Sequence, residues 1–279
     1  MKVNLAESAG FCFGVKRALD IALRTIKVNK NVFMLGDIVH NEEVVNQIRK
    51  AGINKIKKPG LGIGKTLLIR AHGTGRGILN KAKRSGYKIV DATCPMVKEI
   101  HNIAARMELR GYQIIVIGDK KHDEVLGIIG QLCNKAIVID DINLIEQDKI
   151  GKIDKACVVV QSTQNLETVT DIIGSLKKQI KELKFFNTIC GPTRMKQQEI
   201  KKIPLNNDAV VIIGSKKSAN TRRLYEISKS INSKSYWINS KKEIKPAWFR
   251  LVNSIGVTAG ASTPETTIQD IVNYLSELN

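Results

Sequence analysis

Long hydrophobic runs are missing from this sequence. No run approaches the roughly 18 uninterrupted apolar residues that a membrane-spanning helix needs, although 43% of the residues are hydrophobic. The first residues, MKVNLAESAGFCFG, show no charged start followed by an apolar stretch and a small-residue cleavage site. We therefore expect a globular protein without a membrane anchor that remains in the cytoplasm.

Closely spaced cysteine pairs are also missing. The chain has five cysteines, and none of them belongs to a Cys-x-x-Cys pair. An odd number of cysteines in a sequence without a secretory signal argues against a disulfide framework. A closed structural zinc site would usually show such pairs and would need a fourth ligand. The thiols are therefore expected to be buried, catalytic or metal-bound.

Aromatic residues are scarce, at 5% of the chain, and this scarcity bears on the strong positive charge. A formal net charge of +19 would suit a protein that binds nucleic acid. However, the lysines are scattered along the chain without a long basic tail, and few aromatic rings are present to stack on bases. We interpret the charge as a solvated surface that attracts small anions and acidic proteins, and we expect no nucleic-acid partner.

What the sequence does contain is a threefold internal repeat. Three cysteines each end a strand-like run and start an amphipathic helical pattern, and they are Cys12, Cys94 and Cys190. Each is followed, at the same interval of 24 residues, by a glycine that ends an apolar strand pattern, namely Gly36, Gly118 and Gly214. Gly or Pro follows each cysteine closely, and Pro is favoured in a first helical turn. We therefore place these cysteines at helix N-termini, where a thiolate is favoured.

Polar residues recur at two further positions of the repeat. Four residues after the glycines stand His40, His122 and Ser218. The next strand pattern of each repeat ends close to His72, Ser162 or Ser262. Strands that alternate with helices favour parallel sheets, and such sheets bind ligands beyond the carboxyl ends of their strands. We therefore expect these polar residues and the three cysteines to face one cavity.

The repeat predicts an α/β fold of three repeated α/β units around a pseudo-threefold axis with a central cluster cavity. At 279 residues the chain exceeds the usual size of one compact domain. We expect the units at 12–93, 94–189 and 190–279. The third unit lacks its last strand within this range, and the N-terminal strand of residues 1–11 is expected to complete it.

Three equivalent cysteines without a fourth indicate a particular kind of metal site. Thiolates suit zinc and iron–sulfur clusters, and clusters that only transfer electrons normally have four cysteine ligands. Three widely separated cysteines instead fit a [4Fe-4S] cluster in which one iron lacks a protein ligand and can bind substrate. Cys133 and Cys157 lie outside the repeat register, and we interpret both as core residues.

Several other polar residues are candidates for binding phosphate or moving protons. Imidazole, hydroxyl and amide groups donate hydrogen bonds to phosphate oxygens, and the candidates are His40, His72, His122, Ser218, Asn220 and Ser262. Each of them alone could equally cap a helix or stabilise a turn, and His101, inside a helical pattern, is expected to be structural. Glu124 is a candidate proton source with a raised pKa, or simply an acidic residue in a first helical turn.

Several blocks of this sequence together resemble the family of 4-hydroxy-3-methylbut-2-enyl diphosphate reductases, also called IspH or LytB. In order along essentially the whole chain, they are GFCFGVKRA, His40-Asn41, RAHG, DATCP, HDEVLG, TICGPTRMKQQE, GSKKSANTRRL and GASTPE. The resemblance implies an iron–sulfur oxidoreductase of the methylerythritol phosphate route to isoprenoids. Such an enzyme removes the substrate hydroxyl as water, using two electrons and protons, and forms isopentenyl diphosphate and dimethylallyl diphosphate.

The resemblance also implies roles for individual residues and a partner. It assigns a [4Fe-4S] cluster to Cys12, Cys94 and Cys190. It makes Glu124 the proton donor and assigns the diphosphate of the allylic substrate to His40, His72, His122, Ser218, Asn220 and Ser262. Electrons would come from a ferredoxin, a flavodoxin or a similar reductase system.

The sequence departs from the family pattern at three places. Residues 122–124 read His-Asp-Glu where the family commonly reads His-Pro-Glu, which should alter the start of the following helix. Residues 161–163 read Gln-Ser-Thr instead of Gln-Thr-Thr, and Ser162 retains the hydroxyl that helps to place the substrate alcohol. Residues 218–220 have Ala219 where the family has a second serine, so that only a backbone N–H remains there to bind phosphate.

Two other interpretations of the function of this chain remain open at this point. One is another three-unit [4Fe-4S] enzyme with one cluster cysteine in each unit, of the quinolinate synthase type or the diphthamide-forming type. The histidine blocks and GASTPE favour the reductase over these enzymes. The other reading is a basic protein that binds RNA or the ribosome, and it would give gel shifts that weaken as the salt concentration rises.

The missing serine at Ala219 leads to a first prediction. An Ala219→Ser variant adds a hydroxyl donor to the expected diphosphate site and should bind the substrate more tightly, by about fivefold for one additional net hydrogen bond. Substrate affinity of the two proteins, measured side by side, checks this. An unchanged affinity would count against a diphosphate at this position.

Overall fold

The structure, a computed structural model, describes residues 1–144, 150 and 152–278. The predicted second and third units therefore include residues outside the described part, at 145–149, 151 and 279. The strands are β1 (Lys2–Leu5), β2 (Val32–Leu35), β3 (Asn54–Ile56), β4 (Thr66–Ile69), β5 (Lys88–Asp91), β6 (Gln113–Ile117), β7 (Ile137–Ile139), β8 (Lys155–Val160), β9 (Glu182–Phe185), β10 (Ala209–Ile213), β11 (Ser235–Ile238) and β12 (Ser254–Ala259). The α-helices are α1 (Phe13–Val28), α2 (Glu42–Lys50), α3 (Arg76–Arg84), α4 (Pro95–Leu109), α5 (Asp123–Ile129), α6 (Leu166–Lys177), α7 (Gly191–Ile200), α8 (Ala219–Ile231) and α9 (Glu265–Glu277).

Within the described residues, the strands form three four-stranded sheets that share one topology. Their strand orders are β3-β2-β4-β5, β7-β6-β8-β9 and β11-β10-β12-β1, and every strand pair is parallel. If the four strands of a repeat are numbered in chain order, their order across each sheet is second, first, third and fourth. The last sheet takes its fourth strand from the N-terminus, where β1 pairs with β12. The α/β class and the threefold repeat are thereby confirmed, whereas the pseudo-threefold axis and the central cavity stay predictions.

After their first residues, Gln113 and Lys155, the central strands β6 and β8 are apolar, as expected where helices cover both faces of a sheet. Successive residues of a strand point to opposite faces, so the two strands contribute alternately to two hydrophobic cores. One core, covered by α6, receives Ile115, Ile117, Val158 and Val160. The other core, covered by α4, receives Ile114, Val116, Cys157 and Val159.

The chain forms two compact units. The first comprises Met1–Lys16, Val39–Gln47 and Gly191–Asn279 and holds the sheet that contains β1. The second comprises Arg17–Ile38 and Ile48–Cys190 and holds the other two sheets. The unit boundaries expected from the repeat, at 12–93, 94–189 and 190–279, remain a prediction.

The two cysteines outside the repeat differ in their surroundings. Cys157 lies in β8 and is fully buried, and burial raises the pKa of its thiol to about 12. Cys133 is exposed, so the prediction that it belongs to the core was wrong. The reason is that α5 ends already at Ile129, which leaves Cys133 in the turn before β7.

No helix in the described part of the chain has the length and apolar character needed to cross a membrane.

Candidate active site

Each repeat cysteine immediately precedes a helix, as predicted. Helices α1, α4 and α7 begin at Phe13, Pro95 and Gly191, one residue after Cys12, Cys94 and Cys190. Cys94 is the N-cap of α4, with Pro95 next to it in the first turn. The backbone N–H groups at a helix start carry partial positive charge, which favours a thiolate over a thiol.

The backbone N–H of each cysteine is held by the loop that follows the third strand of a sheet. The donor and acceptor pairs are Cys12 with the Ala261 carbonyl at 3.1 Å, Cys94 with the Ala71 carbonyl at 3.0 Å, and Cys190 with the Ser162 carbonyl at 3.0 Å. In every case the acceptor lies two residues after the end of the strand. The three cysteines thus occupy the same place in the repeat, at the carboxyl end of the strands.

The glycines of the repeat also occupy one structural position, directly after the first strand of each sheet. Their N–H groups donate to the last residue of the second strand, in the pairs Gly36 with Ile56, Gly118 with Ile139 and Gly214 with Ile238. Gly214 has a φ of +150°, and a Cβ there would lie 2.7 Å from Oγ1 of Thr221. A side chain at residue 214 would therefore strain the loop that leads into α8.

In the first compact unit, the serine and asparagine candidates lie at the start of α8. Ser218 is its N-cap, and the Ser218 hydroxyl accepts a hydrogen bond from the Thr221 N–H at 3.2 Å. Ala219 and Asn220 form the first turn, and both are buried. Nδ2 of Asn220 is buried without a hydrogen-bond partner among the described residues. A buried donor that lacks an acceptor costs roughly 1–3 kcal/mol, so this amide suits an anionic ligand.

Ser262 and His40 are brought together in the same compact unit. Ser262 lies in the loop after β12, and its hydroxyl donates to the backbone carbonyl of His40 at 3.2 Å. His40 lies shortly before α2, where the Asn41 side chain accepts hydrogen bonds from the N–H groups of Glu43 and Val44. The capping role considered for the polar residues at this repeat position thus falls to Asn41 rather than to His40.

In the second compact unit, His72 and His122 are neighbours. Their ring centroids are 5.5 Å apart, and the rings meet edge to face at 86°. Nδ1 of His122 accepts a hydrogen bond from the Glu124 N–H at 3.2 Å, which makes His122 the N-cap of α5. In the neutral ring the proton therefore sits on Nε2, which makes Nε2 the donor nitrogen of this imidazole.

Glu124 is buried in the first turn of α5, with 2% of its surface exposed. Its carboxyl group accepts hydrogen bonds from the Ser162 N–H at 2.6 Å and from the Ser162 hydroxyl at 2.8 Å. Burial raises the pKa of Glu124, and the two hydrogen bonds from Ser162 oppose this shift without reversing it. The environment therefore favours the protonated acid, as required of a proton donor.

Ser162 connects the candidate proton donor with a candidate metal ligand. It donates both hydrogen bonds to Glu124, and its carbonyl accepts the N–H of Cys190. Displacement of Ser162 would therefore disturb Glu124 and Cys190 together. Its neighbour Gln161 is fully buried and accepts the Asp119 N–H at 2.9 Å, which holds the loop after β8 against the loop after β6.

Asp123, one of the departures from the family pattern, forms an ion pair with Arg70 at 2.5 Å. The helix that follows begins at Asp123 itself, after the His122 cap. Arg70 precedes the turn that carries His72, so the ion pair links the two segments that bear the neighbouring histidines. Charge-assisted hydrogen bonds of this kind are stronger than neutral ones, so the ion pair stabilises this arrangement.

Sequence reasoning missed one residue of this region, Lys196 in α7. Its ammonium group is buried and donates to the carbonyls of Ser8 and Ala259. Burial lowers the pKa of Lys196 to about 8, and the negative charges of Cys12 and Glu199 act in the opposite direction. Nothing in the sequence separates this lysine from the many lysines that lie on the surface.

His101 is buried in α4, as expected for a structural histidine. Burial lowers the pKa of its imidazole to about 4, which favours the neutral ring. A Cβ on Gly73 would lie 2.6 Å from Cε1 of His101, so the ring packs directly against the turn after His72.

The Arg70–Asp123 ion pair leads to a second prediction. In a double-mutant cycle with Arg70→Met and Asp123→Ala, we expect a coupling of about 1–2 kcal/mol in the free energy of unfolding. The side chains are only 16% and 27% exposed, so solvent screens them weakly. The Arg24–Asp20 pair, exposed by 78% and 54%, is the matched control and should couple by less than about 0.5 kcal/mol. Equal coupling in the two pairs would contradict the structure.

Comparison with protein families and curated proteins identifies relatives over the full chain. Residues 3–276 match the family described as LytB protein. A 4-hydroxy-3-methylbut-2-enyl diphosphate reductase of Aquifex aeolicus is 38% identical over 280 residues, which cover 99% of this chain and 96% of the relative. The reductase of the same name from Clostridioides difficile is 35% identical over 280 residues, which cover 100% of this chain and 100% of the relative.

Solved structures agree with this result. A structure described as (E)-4-hydroxy-3-methyl-but-2-enyl diphosphate reductase, the terminal enzyme of the non-mevalonate pathway, is 38% identical with a TM-score of 0.72, over 99% of this chain and 100% of that one. The E-1-hydroxy-2-methyl-but-2-enyl-4-diphosphate reductase of Plasmodium falciparum is 28% identical with a TM-score of 0.90, over 99% and 88%. With the match at residues 3–276, these likenesses show that the chain belongs to the LytB protein family.

Proposed function

We propose that this chain is a 4-hydroxy-3-methylbut-2-enyl diphosphate reductase, an oxidoreductase of the methylerythritol phosphate route to isoprenoids. It converts that substrate to isopentenyl diphosphate and dimethylallyl diphosphate by reductive dehydroxylation. The observation that carries the proposal is the arrangement at Ser162, which binds the buried acid Glu124 and the backbone of Cys190 at once. Relatives of this name match the chain over their full length.

The cysteines of the repeat fit an iron–sulfur cluster. Thiolate sulfur is the usual ligand of such clusters, and each of the three stands directly before a helix, where the thiolate is favoured. Cys12, Cys94 and Cys190 hold a [4Fe-4S] cluster in this proposal. When bound, the cluster supplies electrons and a Lewis-acidic iron that lacks a protein ligand.

The polar groups at the strand ends bind the diphosphate of the substrate. At α8, the Ser218 hydroxyl, the Ala219 N–H and Nδ2 of Asn220 offer donors at the positive end of the helix, and all three residues are buried. Nδ2 of Asn220 has no hydrogen-bond partner among the described residues. The histidines His72 and His122 add imidazole donors, with Nε2 of His122 carrying the proton, and His40 and Ser262 complete the set. Neutral and backbone donors of this kind suit a highly charged anion without needing a metal ion.

Glu124 delivers a proton. The reaction takes up two electrons and two protons and releases one water molecule, so a protonated group must stand near the departing hydroxyl. Burial raises the pKa of Glu124 and keeps the acid protonated at a pH where an exposed carboxyl is ionised. The Ser162 hydroxyl, which donates to Glu124, fixes the orientation of the carboxyl group, and in this proposal it also contacts the substrate alcohol.

The electron donor is a ferredoxin, a flavodoxin or a similar acidic redox protein. The net charge of +19 would accelerate encounter with such a partner and make the rate fall as the salt concentration rises. An allylic diphosphate, which is itself an anion, is attracted by the same field.

The proposal is tested by purification without oxygen, iron and sulfide analysis, and an assay with a reduced mediator. We expect a brown protein with about four iron and four sulfide per chain, and formation of both isoprenoid diphosphates. A protein that shows neither cluster nor turnover would overturn the proposal. A cluster without turnover would favour another three-unit iron–sulfur enzyme. Salt-sensitive binding of RNA by a protein without a cluster would favour a function in binding RNA or the ribosome.

A Glu124→Gln variant tests the proton donor. We expect kcat to fall by about 10²- to 10⁴-fold with a smaller change in KM, because the amide cannot donate the proton. Glu167→Gln, at an exposed glutamate in the first turn of α6, is the matched control and should retain activity. Normal turnover in the Glu124 variant would refute its role.

The same variant has a pH-dependent stability. The pKa of Glu124 is higher in the folded protein than in the unfolded chain. This difference stabilises the native state fully at a pH below the unfolded pKa, and the stabilisation is lost as the pH rises through the folded pKa. Glutamine does not titrate, so the Tm of Glu124→Gln relative to the unmodified protein should increase from pH 5 to pH 8. A difference that stays constant or decreases with pH would show that the carboxyl is not destabilised by burial.

A further inference from the structure

The first compact unit contains a buried lysine, Lys196 in α7, to which the proposed function assigns no role. Lys196 is only 2% exposed, although most lysines keep their charge in water. Burying a charge is costly unless hydrogen bonds and opposite charges compensate, so a buried lysine is retained where it makes specific contacts. The contacts of Lys196 are two backbone carbonyls that lie far from it in the sequence, those of Ser8 and Ala259.

The first of these carbonyls belongs to the segment that leads into Cys12. Ser8 is held on both sides by α7, because Lys196 donates to its carbonyl while Glu199, one turn later, accepts its N–H at 3.1 Å. Glu199 also accepts the N–H of Glu7 at 2.6 Å. The turn between β1 and Cys12 is thus bound to one face of the helix by a lysine and a glutamate.

The second carbonyl belongs to the other segment that positions Cys12. Ala259 is the last residue of β12, and the carbonyl of Ala261, two residues later, accepts the N–H of Cys12. Lys196 donates to Ala259 at 3.0 Å and therefore joins the β12 end to the Ser8 turn. The negative charge of Cys12 is also among the charges that act on the ammonium group.

We propose that Lys196 is a positioning residue for Cys12, which clamps the two segments that carry and anchor the cysteine and places a buried positive charge against both of them. The inference deepens the proposed function and rests on it, since Cys12 is there a ligand of the cluster. Glu199 adds further backbone contacts, with the N–H groups of Glu7 and Ser8, but no positive charge. Lys196 alone therefore combines the structural contact with the electrostatic one.

The experiment compares Lys196→Met, Lys196→Gln and Lys196→Arg in the full chain, with Arg194→Gln as the matched control. Arg194 lies on the same helix and is exposed, so its variant removes an equal charge without touching the clamp. Three quantities are measured: loss of iron to a chelator, reduction potential of the cluster, and hydrogen exchange of residues 6–12 in the cluster-free protein. Unfolding curves identify variants that fail to fold.

We expect Lys196→Met and Lys196→Gln to lose iron about 10- to 100-fold faster, as is usual when the support of a metal ligand is removed. Their reduction potential should become more negative, because the additional electron loses a nearby positive charge. Lys196→Arg should stay within about threefold of the unmodified protein in iron release, since it keeps charge and donors. Arg194→Gln should match the unmodified protein in all three quantities, because its charge is screened by solvent.

Hydrogen exchange separates failure of this inference from failure of the proposed function. If the unmodified protein binds no iron, the proposed function fails, but loss of the clamp should still accelerate exchange of the Cys12 amide by about tenfold in Lys196→Met. A folded Met or Gln variant with unchanged exchange, iron release and potential would overturn the inference. It is equally overturned if both variants unfold while Lys196→Arg folds with an altered potential, because Lys196 would then serve stability alone.

Discussion

Parallel strand pairing is the constraint on which the rest of this structure depends. In a parallel sheet all strands end at the same edge, so loops far apart in sequence are brought side by side there. Each sheet of this protein uses that edge in the same way: the loop after the third strand accepts the N–H of a cysteine, and the second strand accepts the N–H of a glycine. In the sheet that contains β6 and β8, hydrophobic cores on both faces hold the strands that end at this edge.

The candidate site shows how one residue serves both structure and chemistry. The first turns of α5 and α8 need acceptors for their N–H groups, and the side chains of His122 and Ser218 supply them. These caps fix the very groups that the proposed function uses, since the cap at His122 leaves the proton on Nε2. The alternatives of helix cap and ligand, which compete when the sequence is considered alone, are therefore compatible in the folded protein.

Two buried ionisable side chains, those of Glu124 and Lys196, are likewise held by specific hydrogen bonds. Burial raises the pKa of Glu124, whose carboxyl group is oriented by Ser162, whereas Lys196 is buried and donates to the carbonyls of Ser8 and Ala259. In the proposed function the carboxyl group of Glu124 gives up a proton, and in the further inference the ammonium group of Lys196 supports the segments that hold Cys12. Asp123 and Arg70 add an ion pair that joins the segments of the two neighbouring histidines.

The sequence by itself determined the α/β class, the threefold repeat and the positions of the cysteines directly before their helices, because these depend on local periodicity and on Gly and Pro at fixed intervals. The family resemblance added the expected roles. Only the tertiary structure decided that Lys196 is buried, that Ser162 binds Glu124, and that Cys133 is exposed. The contact of Lys196 with Ser8 spans 188 positions and that of Ser162 with Glu124 spans 38, so neither leaves a local pattern. Burial and pKa depend on such distant neighbours, and they are therefore settled when the sheets and helices pack.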